Sequence, residues 1–251
     1  IVLTADAIEV DGESQLIASG TSGGGLIEVG GSWQNSDASV RQAKRTVVEA
    51  DALLDASAIE NGDGGEIVVW SEVASGDGIT DVAGVLLASA GKNSGDGGQI
   101  ETSGATLVLS KDLRVEASSA YGLGGLWLQD PFDYDLTSTE VATIVNSLDS
   151  GTSVTIDTSV DSSISGYIPI LGNGRIILNS PISKTAGGDA DLTFISDGKI
   201  NIQSSIESTS GKLNVTAKAR NHVQFLKSEG GSQQGRATGM SIKTNGGDIV
   251  F

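Results

Sequence analysis

Four short segments of this chain share one pattern. They read Ala18-Ser19 … Gly24-Gly25-Leu26-Ile27, Ala56-Ser57 … Gly64-Gly65-Glu66-Ile67, Ala88-Ser89 … Gly97-Gly98-Gln99-Ile100 and Ala117-Ser118 … Gly124-Gly125-Leu126-Trp127. Each is a small-residue step, a glycine-rich turn and then a β-prone run. The second glycines, Gly25, Gly65, Gly98 and Gly125, lie 40, 33 and 27 residues apart. Imperfect repetition over this range is the mark of stacked strand units carrying inserted loops of different length. One such unit cannot bury its apolar face alone, so it is stable only against its neighbours.

The second half of the chain has a tighter rhythm. A strand position recurs as Val154/Ile156, Ile176/Leu178, Ile200/Ile202 and Val223/Phe225, at steps of 22, 24 and 23 residues. A second series runs Val160, Ile182, Ile206 and Ile242, and a third runs Ile168/Ile170, Leu192/Phe194, Leu213/Val215 and Ile249/Phe251. Apolar residues two apart place both side chains on one side of a strand. Three strands in each period of about 23 residues imply a three-sided coil. A strict six-residue rhythm is absent, and parallel crossovers within a sheet are right-handed. The expected fold is all-β: a right-handed parallel β-helix of nine or ten coils. Residues 226–239 read as a loop inserted in the last coil, because Ile206–Leu213 and Ile242–Ile249 keep the same spacing.

One segment breaks the strand rhythm. Thr137-Ser138-Thr139-Glu140 has the capping-box pattern, and Val141, Ile144, Val145 and Leu148 follow at helical spacing. With Gly151 placed to end it, the spacing predicts a short helix over 139–148. The chain is expected to be a single segment over 1–251, with glycine-rich coils over 1–130, a helix-containing insertion over 131–152 and regular coils over 153–251. Ile1-Val2-Leu3 and Ile249-Val250-Phe251 read as strands without polar caps, which suggests a piece of a longer protein.

Composition supports strands and tight turns: there are 35 glycines, 3 prolines and only 4% aromatic residues. The net charge of −17 has the wrong sign for duplex nucleic acid. It fits a solvated acidic exterior. The absence of cysteine removes disulfides, thiolate metal sites and a cysteine nucleophile. No run is long and apolar enough to insert into a membrane.

Several segments together resemble large bacterial exoproteins of the filamentous haemagglutinin type. They are Asn61-Gly62-Asp63-Gly64-Gly65-Glu66-Ile67-Val68-Val69-Trp70-Ser71, Gly30-Gly31-Ser32-Trp33-Gln34 with Val40-Arg41-Gln42-Ala43, the run Leu126–Leu136, and Ile144–Thr158. The resemblance implies a two-partner secreted protein of the bacterial cell surface, exported through an outer-membrane transporter and folding outside as a β-helical fibre. The amino-terminal secretion domain of that family is not visible in this chain. On this reading the chain is expected to be shaft, of an adhesin, with a glycan or host-protein receptor as the expected partner. A self-associating sheath or matrix protein and a β-helical polysaccharide lyase or hydrolase are the alternatives.

The chemistry-bearing residues point to no catalytic, cofactor or metal site. Asp130, Asp133 and Asp135 form the sharpest acidic cluster and have the oxygen donors that Ca²⁺ prefers, but they also suit a solvated turn. Asp63 and Asp96 sit in Gly-Asp-Gly-Gly turns, where Asp supplies turn geometry. His222, beside Lys218, Arg220 and Lys227, lacks a nucleophile-elbow context. Trp33, Trp70 and Trp127 are expected to cover a coil edge or to pack beneath a loop. Glu28 and Glu101 each lie three residues after an aligned glycine and should share a row, with Glu66 also on a sheet face. Arg41, Lys44 and Arg45 read as a solvated loop. Specificity is expected in the exterior loops, 41–44 and 228–238.

Overall fold

The computed structural model describes residues 1–159, 174–226 and 240–251. Their fold is almost entirely β, every strand pair is parallel, and there is one α-helix. The organising feature is a nine-stranded sheet. Its strands are Val2–Leu3, Leu26–Val29, Glu66–Trp70, Gln99–Ser103, Leu126–Asp130, Ser153–Thr158, Ala190–Ser196, Leu213–Ala219 and Ile249–Val250. Between successive visits to this sheet the chain passes through a second and then a third. Before the helix these are the sheets of Ala7–Val10, Arg45–Val48, Ile79–Val82 and Thr106–Leu109, and of Gln15–Ile17, Leu53–Asp55, Val85–Leu87 and Arg114–Glu116. From Tyr134, just ahead of the helix, onward they are the sheets of Tyr134–Leu136, Ile176–Leu178, Lys199–Ile202 and His222–Phe225, and of Ile182–Lys184, Ile206–Ser208 and Ile242–Lys243.

The repeated glycine pattern has a direct physical origin. The N–H of each second glycine donates to the alanine carbonyl of its own pass: Gly25 to Ala18 at 2.9 Å, Gly65 to Ala56 at 2.8 Å, and Gly98 to Ala88 and Gly125 to Ala117 at 2.7 Å. This bond closes the corner that leads into the long sheet. The first glycines press against the following pass, so that a Cβ at Gly64 would lie 1.9 Å from the Ala88 carbonyl oxygen.

Inward-facing residues stack in register along the whole sheet. One column runs Ile27, Ile67, Ile100, Trp127, Val154, Leu192, Val215 and Ile249. Residues from all five sheets and the helix join in one continuous core, and burial of this apolar surface is the main stabilising term. The neighbouring column contains a polar step, Thr102 then Gln129. Gln129 is fully buried, and among the described residues neither its amide nitrogen nor its oxygen has a partner. An unpaired buried amide costs about 1–3 kcal/mol. Gln129→Met, close in volume, is therefore expected to raise the unfolding free energy by about 1–2 kcal/mol in urea titration. A loss of stability would show that the amide is satisfied in solution.

The helix spans Ser138–Asp149, one residue longer at each end than the spacing predicts. Thr137 caps it, and the capping box with Glu140 is complete. Val141, Ile144 and Leu148 are buried, and Val145 is partly buried against the core. The helix packs between Arg114–Glu116 and Ile182–Lys184 and so takes the place of a third-sheet strand. Gly151, with φ of +87°, ends it.

Two expectations are corrected. Val154/Ile156 do not align with Ile176/Leu178: they lie in the long sheet, where Val154 partners Leu192. The place beside Ile176/Leu178 belongs to Tyr134/Leu136. A period of about 23 residues fits either the long sheet or the series beside it, and only the helix, standing where a third-series strand would, fixes the phase. Leu192 partners Val215 rather than Leu213, and Val215 partners Ile249, so the spacings Ile206–Leu213 and Ile242–Ile249 are not equivalent. A two-residue slip keeps every side chain on the same face and is silent in the hydrophobic pattern. The alignment of Ile182, Ile206 and Ile242 is as expected. Val160, Ile168, Ile170 and the insertion at 227–239 lie outside the described residues. No helix among the described residues is long and apolar enough to cross a membrane.

Candidate functional site: a cleft on the outer face of the long sheet

Side chains alternate along each strand, so Glu66, Val68 and Trp70 face outward where Ile67 and Val69 face the core. The last outward position forms a row of Trp70, Ser103 and Asp130. Asp157 follows Ile156, the partner of Gln129, and therefore extends that row beside Asp130. Segment 30–44 joins Leu26–Val29 to Arg45–Val48 and folds over this face. It approaches closely because a Cβ at Gly31 would lie 2.3 Å from the Trp70 ring. Trp70 Nε1 donates to Gln42 Oε1 at 3.0 Å, and the Gln34 N–H donates to Glu101 Oε2 at 2.8 Å. Ser103 Oγ donates to the other oxygen of Glu101 at 2.9 Å. Thr46 Oγ1 donates to the Trp70 carbonyl at 2.6 Å and anchors the base of the segment.

Between this segment and the turn at Asp130–Phe132 lies a cleft of about 600 Å³ bounded by Gln34, Gln42, Trp70, Asp130, Phe132 and Asp157. Its electrostatics are unusual. Burial pushes Glu101 up to about 7, against the opposing hydrogen bonds from Gln34 and Ser103. Asp130 is raised well above the carboxylate range, first by burial and then by Asp157 and Glu101. Asp157 is raised by burial, opposed by hydrogen bonds from Ser159. Among the described residues no lysine, arginine or histidine lines the cleft.

The acidic cluster expected at 130–135 is divided. Asp130 enters the cleft, whereas Asp133 and Asp135 turn to Arg175, whose guanidinium lies 3.8 Å from one and 3.3 Å from the other. Among the described residues no three acids or histidines group closely enough to hold a metal ion. Glu28 and Glu101 do share a row, with Val68 between them. Two strand spacings, roughly 10 Å, relieve their repulsion without a cation. Glu66 lies in the neighbouring row, partnered by Leu26 and Gln99. Asp63 and Asp96 join successive passes: the Asp96 N–H donates to Asp63 at 2.8 Å, and the Leu123 N–H donates to Asp96 at 2.7 Å.

His222 is exposed at the start of a strand. Trp127 is fully buried in the core column and donates to Thr102 Oγ1 at 3.0 Å. Trp70 packs beneath segment 30–44, and Trp33 lies in a short 3₁₀ turn within that segment. Arg41 pairs with Asp6 at the surface. Segment 228–238 lies outside the described residues. Gln34, Gln42 and Asp157 were not singled out by sequence; the available signal was the long 30–44 connection beside a tryptophan-ended strand. No family model matches the chain, and no curated protein matches it.

Proposed function

We propose that the chain is a right-handed, three-sided parallel β-helix and that it forms an extracellular shaft segment of a secreted bacterial surface exoprotein of the adhesin type. The observation that carries this reading is the nine-stranded parallel sheet, visited in rotation with two shorter series and stacked residue on residue from Ile27 to Ile249. Right-handedness follows from the strong preference of parallel crossovers. Eight strand spacings extend the stack over roughly 40 Å. Interior columns and continuous backbone ladders make such a stack stiff without disulfides. The secretion partner, an outer-membrane transporter, and a glycan or host-protein receptor follow from the resemblance to filamentous haemagglutinin-like exoproteins.

Two measurements test the proposal. Nuclear Overhauser contacts should link Ile27 with Ile67 and Ile100 with Trp127 in residue-on-residue register, and their absence would remove the stacked coil. Immunogold labelling of cells producing the parent protein should place this segment outside the outer membrane. Labelling confined to the cytoplasm would remove the exoprotein. Filaments that lengthen with concentration would favour the sheath alternative.

A further inference from the structure

We propose that the cleft between segment 30–44 and the Asp130–Phe132 turn binds a neutral, hydroxyl-rich ligand, a short uncharged glycan. At about 600 Å³ the cleft lies within the size range of small-molecule sites. Its walls mix two amides, Gln34 and Gln42, with the apolar ring of Phe132 and two carboxyl groups side by side on adjacent strands. Amides that both donate and accept, beside carboxyls that accept, suit a ligand whose hydroxyls do both. The Phe132 ring offers a surface for the C–H faces of a sugar.

The Asp130 carboxyl carries the argument further. It lines the cleft, and no hydrogen bond reaches it among the described residues. A partly buried carboxyl that opens onto the cleft is placed to accept from a ligand hydroxyl. Asp157 faces it from the adjacent strand and Glu101 from the other side, and Asp197 in turn faces Asp157. Burial and this acidic surround disfavour the charged form of Asp130.

Other ligand classes fit less well. Phosphate, sulfate or uronate groups would meet carboxyls and no cation on the cleft wall. A metal ion lacks three grouped ligands among the described residues. An organic cation gains less from carboxyls whose charged form burial disfavours, and Asp157 already accepts two hydrogen bonds from Ser159. This inference deepens the adhesin reading but rests on the cleft itself. Stacked-register contacts with no glycan binding would remove the inference and leave the shaft standing.

The test titrates the intact chain with cello-, malto- and chito-oligosaccharides, following the Trp70 indole N–H signal by NMR and the heat by calorimetry. A heparin-derived oligosaccharide and spermidine serve as the anionic and cationic arms. The expected result is saturable binding of at least one neutral oligosaccharide with a shifted Trp70 signal. Asp130→Ala and Phe132→Ala should each weaken it about tenfold or more. Asp130→Asn, which keeps a polar side chain of the same shape, should retain it. Tyr121→Ser, at an exposed corner, should bind as the wild type does. Saturation only by the heparin fragment or spermidine would overturn the proposal. So would no binding at all, or neutral-sugar binding that leaves the Trp70 signal unmoved. If Asp130→Ala fails to fold, Asp130→Asn and the Trp70 signal still decide the question.

Discussion

Gly64→Ala is expected to destabilise the chain by about 3 kcal/mol or more, because the added methyl has nowhere to go. Its Cβ would lie 1.9 Å from the Ala88 oxygen and 2.6 Å from the Gly98 nitrogen, both backbone atoms of the next pass. Those two atoms are themselves joined by the 2.7 Å corner bond from Gly98 to Ala88. A side chain could rotate away, but a paired backbone can retreat only by opening the stack. Gly97 repeats the arrangement, with a Cβ 1.9 Å from the Ala117 oxygen. Gly188→Ala is the matched control, since nothing lies within 4 Å of its Cβ position. That substitution should be neutral or slightly stabilising through the unfolded chain. Urea unfolding of the two variants beside the wild type decides the matter, and equal midpoints would refute the close-packed corner.

The contrast between these glycines explains what was legible in the sequence. The Ala-Ser … Gly-Gly pattern is readable because each repeat solves the same local problem, a corner bond from the second glycine to the alanine. The helix is readable because Thr137, Glu140 and Gly151 act within a few residues of one another. The phase of the second half was not readable. A strand such as Ser153–Thr158 has the same alternation whichever side of the stack it occupies, and the two-residue shift of Leu213 leaves that alternation intact. The cleft was illegible for a different reason. Gln34 reaches Glu101 across 67 residues, and Asp130 meets Asp157 only once the strands are in register. Asp133 and Asp135 look equivalent to Asp130 in sequence, yet the chain turns between them and gives those two to Arg175.

The same buried acids predict an unusual pH dependence of folding. Glu101 is fully buried and titrates at about 7, against an ordinary value of 4.5. At pH values below both, folded and unfolded chains are both protonated. As the pH rises from 4.5 toward 7, the unfolded chain ionises at this position while the folded chain does not, so stability falls; above 7 the loss is complete. The shift corresponds to about 3 kcal/mol for Glu101 alone. Asp130 and Asp157, also raised, add in the same direction. Asp37 and Glu207 are held low by hydrogen bonds from Ser39 and Ser241, so their contribution is lost only on the acid side of the ordinary carboxylate range. The wild type should therefore be most stable near about pH 5 and clearly weaker at about pH 8 in urea titrations. Glu101→Gln keeps an acceptor for the Gln34 N–H but cannot ionise. It should flatten the profile and exceed the wild type on the alkaline side. A wild-type stability that is level or rising from acid to alkaline pH would remove the buried-acid account. An unchanged slope in Glu101→Gln would place the titration on Asp130 and Asp157 instead.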